Sequence, residues 1–215
     1  MFPDRLLPPG LFFSFEGIDG SGKSTQAQLL VDALRTAGHT VEAVREPGGT
    51  VLGEAIRGVL LDPKSKITPR AELLLFAAAR AQLVAAVIEP LLASGTHVVA
   101  DRYTDSTVAY QGAGRQLAHL VPVDDLNDIA TGGRMPDRTY LISLSPEEST
   151  RRRATRSADR MEMTGEAFSA RVVKAYERIA QRFPARVVSL DGTQSAAALH
   201  DDIARDALAH IASAG

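Results

Sequence analysis

The stretch from residue 17 to residue 24 carries the clearest chemical signal in this sequence. It matches the pattern G-x-x-x-x-G-K-[ST] in full, with Lys23 and Ser24 at its two reactive positions. Glycines let backbone N–H groups curl around phosphate oxygens, the lysine can contact β- and γ-phosphates, and the serine hydroxyl can bind Mg²⁺. The pattern therefore predicts a site for ATP or a closely related triphosphate. Its residues are Gly17, Ile18, Asp19, Gly20, Ser21, Gly22, Lys23, Ser24 and Thr25.

A loop of this kind has to lie between a buried strand and a helix, and the flanking sequence fits. An apolar strand is predicted at 11–15 and a helix at 23–36, which Gly38 ends. Strands alternate with helices along the rest of the chain, which indicates an α/β fold with a mostly parallel sheet covered on both faces. The further strands are predicted at 40–45, 97–100, 138–144 and 186–190. The further helices are predicted at 51–61, 69–93, 104–112, 123–131, from 146, at 166–182 and at 196–212.

Composition and charge limit the class of protein. The chain has 215 residues with 45% hydrophobic and 23% charged residues, which is typical of one soluble globular domain. Its net charge of −2 offers no overall field for nucleic acid or anionic membrane. The absence of cysteine excludes disulfides and favours a reducing cytoplasm. The start of the chain lacks the basic and apolar regions of a signal peptide, and charges interrupt the apolar stretch 73–100, so we expect no membrane span.

Two residues of the long helix at 69–93 indicate a second ligand. Phe76 and Arg80 lie four residues apart and therefore share one face. A buried arginine needs an anionic partner, which could be a phosphate held bidentately, and Phe76 could stack on a base. A structural ion pair for Arg80 and a core position for Phe76 explain the same pattern, so this helix alone does not decide.

A polar group follows the third predicted strand directly. Asp101 and Arg102 stand where the carboxyl end of a parallel strand meets its ligand, and these residue types suit Mg²⁺ and phosphate. On the next helix, Thr107 and Gln111 lie four residues apart and could pair with the polar edge of a base, while Tyr110 could lie next to a sugar. A solvated helix face is the alternative interpretation of Thr107 and Gln111.

A cluster of arginines at 151–156, followed by Arg160, is the third candidate site. Its guanidinium groups could close over a transferring phosphoryl group and neutralise developing charge. Glutamates and aspartates nearby in the sequence allow the alternative of a charged, solvated helix.

Taken together, these motifs resemble bacterial thymidylate kinases, which belong to the P-loop nucleoside monophosphate kinases. The similarity extends over roughly residues 11 to 212, and the motifs come in the order and spacing of that family. They are Phe15 to Thr25, Arg45 to Thr50, Leu75 to Arg80, Asp101 to Tyr103, Ser106 and Thr107, Ala109 to Gly112, Pro136 and Asp137, and Asp159 to Glu162.

The resemblance implies a three-layer P-loop fold with a five-stranded parallel sheet, helices on both sides and a small arginine-rich lid. We accordingly expect residues 1–10 to form an N-terminal extension and 11–215 a single kinase domain, with its lid at about 150–163. The implied reaction is transfer of the γ-phosphoryl group of ATP to dTMP, giving dTDP and ADP, with Mg²⁺, in dTTP biosynthesis. The implied assembly is a cytoplasmic homodimer that associates through the helix at 69–93.

Residue roles also follow from the resemblance. Phe76 is expected to stack on thymine, Arg80 to help hold the base and the acceptor phosphate, and Tyr110 to crowd the 2′ position. The dTMP-binding residues implied in this way are Glu46, Arg57, Phe76, Arg80, Arg102, Thr107, Tyr110 and Gln111. Mg²⁺ would be bound by Ser24, Asp19 and Asp101, partly through water.

One departure within the phosphate-binding loop affects the catalytic residues. Some thymidylate kinases carry an arginine in this loop, whereas Ile18, Asp19, Gly20 and Ser21 supply none. The sequence therefore resembles the bacterial class with a lid arginine. Its expected catalytic residues are Lys23, Asp19, Arg153 and Arg156, with Arg151 and Arg152 as neighbouring candidates.

Two other classes share the loop. A nucleoside kinase would phosphorylate a 5′-hydroxyl, with Glu46 or Asp101 as general base, but the arginines around the acceptor site argue against a substrate without phosphate. A P-loop switch protein would usually carry a guanine-reading Asn-Lys-x-Asp, which this sequence lacks.

Overall fold

Five parallel strands form the centre of the molecule. The structure is a computed structural model that describes residues 9–154, 160–161 and 164–214. The strands are β1 (Phe12–Glu16), β2 (Val41–Arg45), β3 (His97–Asp101), β4 (Arg138–Ser143) and β5 (Val187–Asp191), in the order β2-β3-β1-β4-β5. All neighbouring strands pair in parallel. The predicted five-stranded parallel α/β fold is confirmed.

Helices connect the strands and agree closely with the predicted ranges. They are α1 (Lys23–Thr36), α2 (Val51–Leu61), α3 (Pro69–Ala93), α4 (Thr104–Thr107, continuing as the π-helical turn Val108–Gly114), α5 (Val123–Thr131), α6 (Pro146–Arg153), α7 (Glu166–Arg182) and α8 (Ala196–Ala214). Hydroxyl caps fix several of the starts. Thr50 accepts a hydrogen bond from the Gly53 amide at 2.9 Å, and Ser145 accepts one from the Glu148 amide at 3.2 Å.

Successive residues of β1 show how the two helical layers are held. Phe13 packs with α1 and α8 on one face of the sheet, while Phe12 packs with α3 on the other. Both rings are fully buried. Because each buried phenylalanine contributes about 2–3 kcal/mol of hydrophobic stabilisation, β1 anchors the loop that follows it in both layers at once.

Helix α3 is the longest apolar helix among the described residues. By length and composition it could cross a membrane, with a mean hydropathy of 1.8 over an 18-residue window. Its Glu72 and Arg80 side chains are nevertheless buried in ion pairs with other parts of the domain, and its central turn at Val84–Ile88 packs on β1 and β3. These contacts are those of a core helix.

The carboxyl ends of the strands bring the candidate residues to one edge. The phosphate-binding loop follows β1, Glu46 follows β2, Arg102 follows β3, and α6 begins shortly after β4. This edge is where parallel α/β sheets place their ligands. Of the predicted lid, residues 155–159 and 162–163, including Arg156, lie outside the described residues, as do residues 1–8 of the predicted extension.

Candidate active site

A cavity of about 440 Å³ runs along this edge of the sheet. It lies between the phosphate-binding loop, α3, α4 and the end of α6. The predicted residues that line it are Asp19, Gly20, Gly22, Lys23, Ser24, Thr25, Glu46, Arg57, Phe76, Arg80, Asp101, Arg102, Thr107, Tyr110, Gln111, Arg152 and Arg153. The structure therefore brings the donor, acceptor and lid candidates, which come from distant parts of the chain, to one place.

The loop itself adopts the curled backbone that phosphate binding requires. Gly17, Gly20 and Gly22 have φ values of 136°, 80° and 99°, a region that favours glycine. Lys23 is buried and donates from Nζ to the Ile18 carbonyl at 2.8 Å. Burial, reinforced by the nearby Arg102, lowers the pKa of Lys23 to about 8. The negative charge of a bound phosphate would oppose both effects and favour the charged form of Lys23.

Two side chains with oxygen atoms meet where α1 begins and β3 ends. The Ser24 hydroxyl donates a hydrogen bond to Asp101 Oδ2, which joins the loop to the end of β3. The described residues contain no cluster of three or more His, Cys, Asp or Glu side chains that could enclose a metal. A hydroxyl and a carboxylate fit Mg²⁺ that keeps several waters and is completed by substrate phosphates.

Arg102 lines the cavity and is held in an unusual backbone conformation. Its φ is 76°, a value that a residue with a side chain adopts only when its surroundings fix it. The guanidinium pairs with Asp19 and also donates to the Gly17 carbonyl at 3.1 Å. Burial would raise the pKa of Asp19, but Arg102 and Lys23 outweigh it and hold that pKa at about 2. A permanently ionised Asp19 thus fixes Arg102 beside the loop.

Glu16 belongs to one of the sequence motifs but was not predicted to be a site residue. Its side chain holds groups that contact Arg102. Its carboxylate accepts hydrogen bonds from the Tyr103 amide (2.8 Å), the Ser106 hydroxyl (2.6 Å) and the Tyr176 hydroxyl (2.8 Å). Burial, with a further contribution from Asp105, raises the pKa of Glu16 to about 7. Ser106 and Tyr176 also accept hydrogen bonds from Arg102, so the same cluster helps to hold the arginine in position.

Arg80 is buried and its hydrogen bonds go to protein groups. It donates to both oxygens of Glu46, at 2.6 to 3.1 Å, and to Thr107 Oγ1 and Asn127 Oδ1, each at 2.8 Å. Its remaining donor reaches the Tyr103 carbonyl at 3.1 Å. The anionic partner expected for this arginine is therefore a carboxylate in this structure, and Arg80 fixes both Glu46 and Thr107 at the cavity wall.

Thr107 and Gln111 do not form a solvated helix face. They are 1% and 2% exposed, and both line the cavity from α4. The π-helical turn at Val108–Gly114 begins directly after Thr107 and includes Tyr110 and Gln111. Such turns occur frequently at functional sites because they change the direction of side chains along a helix.

Helix α6, where the predicted lid begins, contacts the phosphate-binding loop. Ser149 Oγ donates to the Asp19 carbonyl at 2.6 Å, and Arg153 Nε donates to Ser149 Oγ at 3.3 Å. A Cβ atom at Gly20 would lie 3.2 Å from Arg153 Cγ, so Arg153 fills the space beside the loop. Arg152 also lines the cavity and donates to the Gly192 carbonyl at 2.9 Å.

Not every predicted residue lines the cavity, and several residues were missed. Gly17, Ile18 and Ser21 form the loop without lining this space. Met161 and Leu61 do line it, and Tyr176, Asn127, Glu72 and Arg115 support it from behind. These supporting residues carry no local motif, because their roles arise from contacts between distant elements.

The parallel sheet, the phosphate-binding loop and the arginines that face it define a P-loop phosphotransferase. A family model described as thymidylate kinase matches residues 15–203. The chain is 46% identical to a thymidylate kinase of Gloeobacter violaceus, covering 90% of this chain and 92% of the relative, and 45% identical to one of Caldanaerobacter subterraneus, covering 89% and 91%. The crystal structure of thymidylate kinase from Ehrlichia chaffeensis superposes with a TM-score of 0.74 at 32% identity, covering 92% of this chain and 98% of that one. The chain belongs to the thymidylate kinase family.

Proposed function

We propose that this protein transfers the γ-phosphoryl group of ATP to dTMP, giving dTDP and ADP, as a step of dTTP biosynthesis. One observation carries the proposal beyond family membership. A phosphate-binding loop, several arginines and the buried polar pair Thr107 and Gln111 share one cavity of about 440 Å³, a volume in the range of small-molecule sites.

The donor half of the cavity would hold ATP. The loop amides from Gly17 to Thr25 would surround the phosphates, and Lys23 would contact the β- and γ-phosphates. Ser24 and Asp101 supply oxygen ligands for Mg²⁺, and Asp19 would act through water because its carboxylate is paired with Arg102. When bound, Mg²⁺ would neutralise charge on the phosphates and align them for transfer.

The acceptor half would hold dTMP. Arg102 and Arg57 both line the cavity and suit a phosphate, while Phe76 offers a ring for stacking on thymine. Thr107 and Gln111 would read the polar edge of the base, and Tyr110 would crowd the 2′ position of the sugar. Arg80 and Glu46 would act as a buried pair that keeps Thr107 in place.

No protein nucleophile is required for this reaction. A dTMP phosphate oxygen attacks the γ-phosphoryl group directly, so catalysis consists of alignment and neutralisation of charge. Lys23, Arg153 and Arg156 would stabilise the charge that spreads over the transferring group. Closure of the lid would exclude the water that otherwise hydrolyses ATP.

A panel of acceptors tests the proposed reaction. With ATP and Mg²⁺, we expect dTMP to stimulate ADP release strongly, with dUMP roughly tenfold poorer because one methyl contact is missing, and dCMP and dGMP poorer still. A coupled assay with each nucleotide, and with thymidine as a control that lacks a phosphate, measures this directly. Absence of stimulation by millimolar dTMP, or a preference for thymidine, would contradict the proposal.

The proposed assembly is a homodimer through the helix at 69–93, that is, α3. Leu74 on this helix is 58% exposed, and Leu52 and Val59 on the adjoining α2 are each 49% exposed, so both helices offer aliphatic side chains that a partner subunit could cover. We expect the purified protein to sediment at twice its chain mass of 22.9 kDa, and Leu74→Glu to shift it to the monomer. A wild-type protein that sediments as a monomer would contradict this assembly.

A cytoplasmic location without nucleic-acid or membrane partners completes the proposal. It is supported by the net charge of −2, the absence of cysteine and the way α3 packs in the core.

A further inference from the structure

Glu72 is a buried carboxylate that the proposed reaction does not use. It lies on α3, its side chain is 1% exposed, and it contacts three side chains from other parts of the chain. Arg115 donates to both of its oxygens at 3.0 and 2.9 Å, Arg160 approaches Oε2 at 2.7 Å, and Gln111 donates from Nε2 to Oε1 at 3.0 Å. Glu72 therefore contacts Gln111, one of the two residues predicted to read the base.

The two arginines keep Glu72 ionised. Burial would raise the pKa of Glu72, but hydrogen bonds from Arg115, Gln111 and Arg160 outweigh it and leave that pKa below its usual value. Each arginine is itself anchored. Arg115 lies over the Phe168 ring at 5.0 Å, and Arg160 donates to the Leu60 carbonyl at 2.6 Å. The Glu72 carboxylate is therefore held in one position and in its ionised form.

An ionised carboxylate decides how the Gln111 amide is turned. A carboxylate only accepts hydrogen bonds, so Gln111 must present its NH₂ group to Glu72. In the flipped amide, the Gln111 carbonyl oxygen would face a Glu72 oxygen, and two acceptors would repel each other. The carbonyl oxygen Oε1 therefore points away from Glu72. Within the described ranges no protein donor contacts this oxygen and it is not sealed from solvent, while Gln111 lines the cavity.

We propose that Glu72 is a specificity-determining positioning residue that holds Gln111 with its carbonyl oxygen towards the acceptor base. A carbonyl oxygen accepts the imide N3–H of thymine or uracil. Cytosine presents an unprotonated N3 lone pair at the same place, and two acceptors repel each other. Glu72 thereby selects imide bases over cytosine. The inference rests on the proposed function, since it concerns the base of the phosphate acceptor.

The substitution Glu72→Gln tests this role. A glutamine can donate or accept, so it releases the Gln111 amide to turn in either direction. We expect the ratio of kcat/KM for dTMP to that for dCMP to fall about tenfold, the effect of one misdirected hydrogen bond. The ratio for dTMP to dUMP is expected to stay constant because both bases carry N3–H, and the KM for ATP is expected to stay within twofold. A merely structural role of Glu72 would not change one ratio and spare the other.

Matched variants separate the inference from general damage and from failure of the proposed function. Glu89→Gln makes the same chemical change on the same helix, in an ion pair with Arg134, and is expected to leave both ratios unchanged. Gln111→Leu should lower the dTMP to dCMP ratio by itself, and adding Glu72→Gln to it should lower that ratio no further. If Glu72→Gln does not fold, Glu72→Asp keeps the charge but withdraws it from Gln111, and the same fall is expected.

Three results would overturn the inference. These are an unchanged dTMP to dCMP ratio in folded Glu72→Gln, an equal loss in Glu89→Gln, and an additional loss in the double variant. A wild-type enzyme that is not stimulated by dTMP would instead contradict the proposed function, so the two failures are distinguishable.

Discussion

Replacing Arg153 with alanine is expected to lower kcat about 10³-fold while leaving the KM for both substrates within a few-fold. Arg153 is placed beside Gly20 of the phosphate-binding loop and lines the cavity, where the transferring group would pass. A guanidinium that neutralises charge mainly in the transition state affects kcat rather than binding, and arginine fingers contribute factors of 10³ to 10⁵. Steady-state kinetics with saturating dTMP and ATP measure the effect.

Arg151 provides the matched control for this experiment. It belongs to the same helix, but its side chain is 75% exposed and pairs with Glu148. Arg151→Ala should therefore leave kcat nearly unchanged. The double variant Arg153→Ala/Arg156→Ala covers the second predicted lid arginine, which lies outside the described residues. Full activity in that double variant would refute the assignment of Arg153 and Arg156 as the catalytic arginines.

Local signals explain why most of the fold could be predicted from the sequence. The predicted helix at 23–36 coincides with α1 because the phosphate-binding loop fixes its start and Gly38, with a φ of 90°, follows its end. The β1 prediction differs by one residue at each end, since a run buried on both faces has no alternation to mark its limits. The predicted helix at 104–112 instead continues to residue 114, because a π-helical turn lengthens it and has no recognisable sequence signature.

The site could be predicted where its residues form local motifs and not where distant residues meet. Asp19, Lys23, Arg102 and Gln111 belong to such motifs and all line the cavity. Tyr176, which hydrogen-bonds to Glu16 across 160 residues of sequence, depends on the way α7 packs against the sheet. No spacing of residues along the sequence predicts how α7 packs there.

The partner of Arg80 illustrates the same limit. The sequence predicts that Arg80 is buried, and a buried guanidinium needs an anionic partner. A phosphate and a carboxylate satisfy that need equally well. The structure supplies Glu46, 34 residues away in sequence. The choice between a ligand and a protein partner is made by tertiary packing.

Replacing Arg102 with methionine is expected to reduce kcat/KM for dTMP by about 10² to 10³-fold, mainly by raising KM. Methionine keeps the bulk of the side chain but removes the charge that would receive the acceptor phosphate. It also leaves the partly buried Asp19 without its main partner, and that carboxylate would then repel the incoming phosphate. Loss of one partner from a buried charge pair costs about 2–5 kcal/mol, which corresponds to the expected range.

An ion pair at the opposite end of the strands provides the control for losing a partly buried arginine. Arg102 and Asp19 have side chains 17% and 28% exposed, and Arg138, at the start of β4, and Asp206, on α8, are 22% and 28% exposed. Arg138→Met should therefore cost comparable stability but leave the KM for dTMP unchanged. Binding of a non-hydrolysable ATP analogue to Arg102→Met should stay close to wild type, because the donor phosphates are held by the loop and Lys23. If affinity for that analogue falls as far as kcat/KM for dTMP, Arg102 supports the loop as a whole and does not serve the acceptor phosphate.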